Sequence, residues 1–246
     1  MSQRPKVLRQ QTSDLELPPT TLSKKQFQQA WFIPVKNLTK DDGHFNLVRN
    51  FNLADAITLC NGACGALSIF SNLRYLISHD PYYLQLAMWC IPLGFTFDVF
   101  DGRVARWRKT SSILGQELDS LADAISFGVA PAVLAFVLGM QSFIDTIVLT
   151  CFVCCGIARL ARYNATVAIM PHDQSGKVAY FEGTPIPTSL ALVAVLAYLT
   201  HHGLIGDRLP GGVIEVIPGY SFHAMVVMFG ISGTLMVSKS LKIPKL

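Results

Sequence analysis

The chain has 246 residues, 51% of them hydrophobic and only 15% charged, with a formal net charge of +4 and a mean hydropathy of +0.39. Globular domains carry about 25% charge, so disordered, collagen-like and coiled-coil chains are excluded. The six cysteines lie inside apolar stretches, not at the spacings of a disulfide framework. What remains is a polytopic membrane protein or an unusually apolar soluble one, and the apolar runs decide between them.

Residues 1–40 form an N-terminal segment rich in Gln, Lys and Ser, with disorder expected over about residues 1–25. Phe27 to Val35 is apolar enough to lie against a membrane surface, and the start lacks the apolar central region of a cleavable signal peptide. Residues 41–246 are expected to form one transmembrane domain. A helix needs roughly 20 mostly apolar residues to cross a bilayer. Six stretches qualify as candidates: 53–72, 82–100, 113–138, 143–164, 187–205 and 217–238.

Lys and Arg are distributed unevenly between these stretches. Eight precede the first, one follows it, and the later segments carry four, none, three, one and three. Basic residues thus concentrate in every second segment, the pattern of six spans with both termini cytoplasmic. The expected fold is therefore all-α, a six-helix polytopic protein whose first partner is the lipid bilayer. The net positive charge reads as a topology signal and not as a nucleic-acid footprint. The connection 165–186 is the longest, and it carries Gly, Pro and charged residues. Loops of that length are more often functional than idle.

The second span ends with Asp98 and Asp101, three apart, and the third begins with Asp119 and Asp123, four apart. On helices each pair faces one way. If the chain turns back near 107–112, the pairs face each other and four carboxylates converge at the cytoplasmic membrane border. Four anions in a low-dielectric setting need cations or protons. Oxygen ligands with no Cys or His suit a hard divalent ion, Mg²⁺ or Mn²⁺, or a pair of them. Gly102 and Ala105 share a face with the first pair, while Gly115, Ala122 and Ser126 flank the second. Small faces of this kind let backbones approach or admit a bulky ligand. A lone intramembrane Asp can equally cap a helix or pair with Arg, but four at paired helical spacing argue against that. Glu117 falls on the wrong face.

Asp98-x-x-Asp101-Gly102-x-x-Ala105-Arg106, eight residues, then Gly115-x-x-x-Asp119-x-x-x-Asp123 resembles the signature of the CDP-alcohol phosphatidyltransferases at every fixed position. Further stretches resemble the serine-using branch of that family in its fungal, endoplasmic-reticulum form. They are Asp55-x-x-Thr58-x-x-Asn61-x-x-x-Gly65, Gln116 to Pro131, Ala158-Arg159-Leu160-Ala161-Arg162-Tyr163-Asn164, Phe181-x-Gly183-x-Pro185-x-Pro187 and Ser238 to Pro244. One departure stands out: related enzymes often have Pro-Asn where this chain has Ala54-Asp55.

The resemblance implies transfer of the phosphatidyl group from CDP-diacylglycerol to the hydroxyl of L-serine, with release of CMP. It implies a homodimer in the endoplasmic reticulum membrane, with the active site facing the cytosol. By analogy Asp98, Asp101, Asp119 and Asp123 hold two Mg²⁺ or Mn²⁺ ions, and Asp123 doubles as general base on the serine hydroxyl. Gly102, Ala105, Arg106 and Gly115 would form the nucleotide and phosphate surface with Asp98, joined by neutral donors from Thr58 and Asn61. Arg159 or Arg162 would bind the serine carboxylate, Tyr163 would cover its ammonium, and Phe181, Gly183 and Pro185 would close the pocket.

Blander roles compete with these. Arg106, Arg159 and Arg162 could be topology markers only. Cys151-x-x-Cys154 has redox spacing but lies mid-span, without the strand–helix context of such motifs, and His201-His202 reads as interfacial. Rival activities are a sister transferase acting on inositol or glycerol 3-phosphate, an ion transporter, and an inactive scaffold. A phosphate-bearing acceptor would want more basic residues in 159–187 than this chain has, and no ionisable relay continues through the later spans.

Overall fold

Six apolar helices dominate the computed structural model, which describes residues 53–108, 113–169, 180–217, 220–238 and 242–244. All belong to the unit Phe51–Leu246. The expectations for residues 1–40, including the Phe27–Val35 stretch, lie outside the described residues. Four helices are long and apolar enough to cross a membrane: Leu53–Ser78, Pro81–Val104, Leu114–Val137 and Phe143–Ala165. Two shorter apolar helices follow, Ile186–His201 and Ala224–Val237. At ~1.5 Å per residue these reach roughly 24 and 21 Å, short of the ~30 Å hydrocarbon core. The chain is a polytopic membrane protein.

In chain order, helix α1 (Leu53–Ser78) is followed by α2 (Pro81–Arg108). The turn between them has simple local causes. His79 takes a left-handed conformation (φ 54°) and donates its N–H to the Tyr75 carbonyl at 2.8 Å, closing α1. Asp80 then accepts the Tyr82 N–H at 2.9 Å, capping α2, with Pro81 at the first helical position where no donor is needed. Pro92 lies inside α2; such prolines are tolerated in membrane helices, where neighbours satisfy the freed backbone groups.

Helix α3 (Ile113–Asp123) continues through a π-helical turn, Ala124–Val129, into α4 (Ala130–Val137). The third apolar run is thus one segment with a wider turn at its centre. That turn packs against α1 without intervening bulk. A Cβ on Gly65 would lie 2.8 Å from Ser126 Cα, and one on Gly62 would lie 3.5 Å from Ala122 Cβ. The Ser126 hydroxyl donates to the Asn61 carbonyl at 2.8 Å. Ala122 and Ser126, two of the small residues beside Asp119 and Asp123, therefore serve the approach of α1.

Helix α5 (Phe143–Ile169) begins with a reciprocal cap. Ser142 N–H donates to Asp145 Oδ2 and Asp145 N–H to Ser142 Oγ, both at 3.1 Å. The fully buried Asp145 also takes the His223 N–H at 2.9 Å and lies 2.6 Å from His223 Nδ1. His223 ends a hairpin of β2 (Val213–Ile217) and β3 (Tyr220–His223). A further pair of strands joins β1 (Tyr180–Glu182) to β4 (Lys242–Pro244), with Phe181 opposite Ile243. Helices α6 (Ser189–His201) and α7 (Val227–Val237) complete the bundle, each entered through a short 3₁₀ turn.

These observations correct two expectations. Ile217 and residues 220–223 are not the start of a sixth helix, since they lie in strands. Val213, Ile214, Val216 and Ile217 are β-branched, and Pro218-Gly219 is a turn dipeptide, so a hairpin is favoured where hydropathy alone reads a span. The fold is all-α, with two small two-stranded sheets beside the helices among the described residues. The fifth helix ends at His201, before the expected 205. The core lies between α2, α4, α5, α6 and α7, around Ile91, Phe127, Leu134, Phe152, Ile186 and Phe229. Phe152 and Phe229 meet edge to face at 5.2 Å.

Candidate active site

Asp98 lies near the C-terminal end of α2, and Asp119 and Asp123 lie on α3. Each of these three offers a carboxylate oxygen, and the three atoms lie within 4.8 Å of one another. Asp119 Oδ1 is buried with no hydrogen-bond partner. Buried polar atoms are nearly always satisfied, so three converging carboxylates with an orphaned oxygen among them suit a hard cation. The donor set is all oxygen, as Mg²⁺ and Mn²⁺ prefer. The residues present fit a divalent ion.

Asp101 is placed differently. It lies outside that group of three and turns to α1, where its Oδ2 accepts the Thr58 hydroxyl at 2.6 Å. Asn61 Nδ2 donates to Asp123 Oδ1 at 3.2 Å. Thr58 and Asn61 stand three apart on α1, and both are buried. Helix α1 packs against both α2 and α3, and it lends one polar side chain to each acidic pair. The sequence marks both residues as neutral donors within an apolar span but gives no sign that their partners are aspartates.

The glycines tighten this corner. A Cβ on Gly94 would lie 2.9 Å from Asn61 Oδ1. Gly102 and Gly115 are half-buried on α2 and α3. Ala105 and Arg106 belong to the last turns of α2; their side chains lie outside the described residues, as does that of Phe181. Glu117 is exposed and accepts from Asn164 Nδ2 at 3.4 Å, away from the cluster, as its helical position predicts.

Arg159 is half-buried on α5, close enough to Asp123 for their charges to interact. Arg162 points elsewhere, donating from Nη1 to the Val237 carbonyl at 3.3 Å. Gly183 (φ 79°) is buried where a Cβ would collide with the Met236 carbonyl, and Thr184 N–H donates to the Leu235 carbonyl at 3.3 Å. The segment after β1 is thus seated on the end of α7. Pro185 and Tyr163 are both exposed. Ile186 fills the space between Gly128 and Gly156, bringing the start of α6 against the π turn that follows Asp123. One tie escapes sequence reasoning: Asn164 Nδ2 donates to Ser120 Oγ at 3.0 Å, joining α5 to α3 beside Asp119. Cys151 and Cys154 are free thiols, and His201 and His202 stack edge to face at 5.5 Å at the end of α6.

Residues 51–235 match the family model described as CDP-alcohol phosphatidyltransferase. The chain is 51% identical over 212 residues to the Saccharomyces cerevisiae CDP-diacylglycerol–serine O-phosphatidyltransferase, covering 86% of this chain and 77% of that protein. Enzymes of the same name from Helicobacter pylori and Bacillus subtilis are 37% identical over 147 residues and 33% over 144. Both alignments cover 58% of this chain, with 59% and 73% of the relatives. With three converging carboxylates on the helices that carry the signature, the chain belongs to the CDP-alcohol phosphatidyltransferase family.

Proposed function

We propose that this chain transfers the phosphatidyl group of CDP-diacylglycerol to L-serine, giving phosphatidylserine and CMP. The observation that carries the reading is the grouping of Asp98, Asp119 and Asp123 within 4.8 Å, on a chain half identical to a yeast enzyme of that name. Asp98, Asp101, Asp119 and Asp123 would hold divalent metal, which when bound supplies charge neutralisation for the pyrophosphate. Phosphoryl transfer asks little covalent work of a protein beyond positioning and electrostatics.

The remaining roles belong to side chains. Asp123 takes the proton from the serine hydroxyl as its oxygen bonds to the lipid-side phosphorus. The bond from that phosphorus to the bridging oxygen breaks, and CMP leaves with the electron pair. Gly102, Ala105 and Gly115 leave room for the nucleotide and Arg106 offers donors to its phosphates. Arg159 binds the serine carboxylate, with Tyr163, Phe181, Gly183 and Pro185 around it and Arg162 at its edge. Charge alternation along the chain supports six spans with both termini cytoplasmic, hence an active site at the cytosolic face. Membership of the family and likeness to the yeast protein support a homodimer in the endoplasmic reticulum.

Purified protein given CDP-diacylglycerol and Mn²⁺ or Mg²⁺ releases CMP when serine is added, and not with inositol or glycerol 3-phosphate. Chelation by EDTA stops the release, and added metal restores it. Release that follows inositol instead of serine would move the chain to a sister activity.

A further inference from the structure

We infer that Thr58 and Asn61 are positioning residues for the acidic site, each fixing one carboxylate from α1, in place of touching substrate themselves. The inference rests on the metal-binding reading above and deepens it. Asn61 is completely buried and Thr58 is 4% exposed, so neither presents its polar atoms to a ligand arriving from the aqueous side. The Thr58 hydroxyl and one N–H of the Asn61 amide are already committed. The single hydroxyl proton of Thr58 has two acceptors within reach, Asp101 Oδ2 at 2.6 Å and the Ala54 carbonyl at 3.1 Å. The shorter contact, in the range of charge-assisted O–H···O⁻ bonds, wins. The Asn61 amide nitrogen cannot accept, so Asp123 Oδ1 is necessarily the acceptor of that bond.

The arrangement has a geometric logic. A free carboxylate rotates about its last bond, and two antiparallel helices carrying facing acids repel one another. A donor on a third helix counters both, because it fixes one oxygen of Asp101 and one of Asp123 and so sets the planes of the two carboxylates. Asn61 is itself held through its backbone, whose main-chain carbonyl accepts Ser126 Oγ at 2.8 Å, while its Oδ1, which has no hydrogen-bond partner, faces Gly94, where a Cβ would lie 2.9 Å away. Partners of this kind around metal ligands typically change metal affinity or activity 10- to 100-fold when removed.

The test is Mn²⁺ binding to the purified full chain without nucleotide, followed by electron paramagnetic resonance of the free ion, with melting temperature recorded for each variant. Thr58→Val keeps the shape and loses the donor, so its Mn²⁺ affinity falls about 10- to 100-fold, as does that of Asn61→Ala. Thr58→Ser restores the donor and binds within about threefold of the unaltered chain. Ser68→Ala removes a buried hydroxyl bonded to the Ala87 carbonyl at 2.8 Å on the same helix pair; it lowers the melting temperature but leaves Mn²⁺ affinity unchanged. Thr58→Ala gives a second determination should the valine variant not fold.

In turnover, Asn61→Ala lowers kcat while the serine KM stays within about twofold, the signature of a disturbed base as opposed to a lost contact. Thr58→Val and Asn61→Ala variants that bind Mn²⁺ as the unaltered chain does would overturn the inference. An unaltered chain that binds no Mn²⁺, or an Asp119→Asn variant that binds it equally well, would instead overturn the metal-binding reading on which it rests.

Discussion

Arg162 Nη1 donates to the main-chain carbonyl of Val237 at 3.3 Å across 75 positions of sequence. The last carbonyls of a helix lack partners within it, and a cation there is favourable. Arg162 therefore fastens α5 to the end of α7, while Arg159, three residues earlier, interacts with Asp123. Two arginines that look interchangeable in sequence are set in different surroundings. Arg159→Lys raises the serine KM at least about tenfold and the CDP-diacylglycerol KM much less, because an ammonium lacks the two-pronged fit to a carboxylate. Arg162→Ala costs about 1–3 kcal/mol of stability, read as a lower melting temperature. A larger serine KM effect at 162 than at 159 would reverse the assignment.

Asp123→Asn keeps the bulk of the side chain and removes the base. Turnover falls by about 10²- to 10⁴-fold, the usual contribution of a general base. CDP-diacylglycerol binding, measured by equilibrium dialysis of the nucleotide lipid in detergent, largely survives. Undiminished turnover would remove Asp123 from the proton-transfer step.

Gly65 and Gly62 make a paired test of the α1 approach. Alanine in place of glycine gains about 1 kcal/mol of helix propensity. At Gly62 the new methyl makes an ordinary 3.5 Å contact, so Gly62→Ala is neutral or slightly stabilising. At Gly65 the methyl would sit 2.8 Å from Ser126 Cα, and overpacking of about 1–3 kcal/mol outweighs the gain. Thermal unfolding of the two variants separates them.

Asp145 accepts from Ser142 N–H and His223 N–H and lies against the His223 ring, all while fully buried. Asp145→Ala leaves those groups without partners and costs about 3 kcal/mol or more. Residue 145 opens α5 and Arg159 lies four turns on, so kcat per folded molecule is unchanged. Loss of kcat at full folding would show that the two ends communicate.

The pairing of Phe181 with Ile243 gives one more expectation. Ending the chain after Ser240 deletes β4 and frees β1, which raises the serine KM severalfold and leaves CDP-diacylglycerol affinity as it was. Equal kinetics in the shortened chain would show that the strand pair does not shape the acceptor side.

The aspartates were legible in sequence because helical spacing is local: residues three and four apart share a face whatever surrounds them. The first four spans were legible because length and apolarity suffice. Three features were not. The Thr58–Asp101 and Asn61–Asp123 bonds depend on the height at which α1 meets its neighbours, and that height is set by glycine contacts such as Gly65 on Ser126. The Arg162–Val237 tie depends on where a distant helix ends. The β2–β3 hairpin was hidden because hydropathy averages over a run, although Pro218-Gly219 marked the turn.

Every acid of the metal-binding group, together with its donors on α1, comes from the stretch between Thr58 and Asp123, whereas Arg159, Gly183 and the strand pair come from the later part of the chain. With the acceptor held as proposed, the two tasks are separable: substitutions behind the π turn alter which alcohol is accepted without touching the acids that precede it.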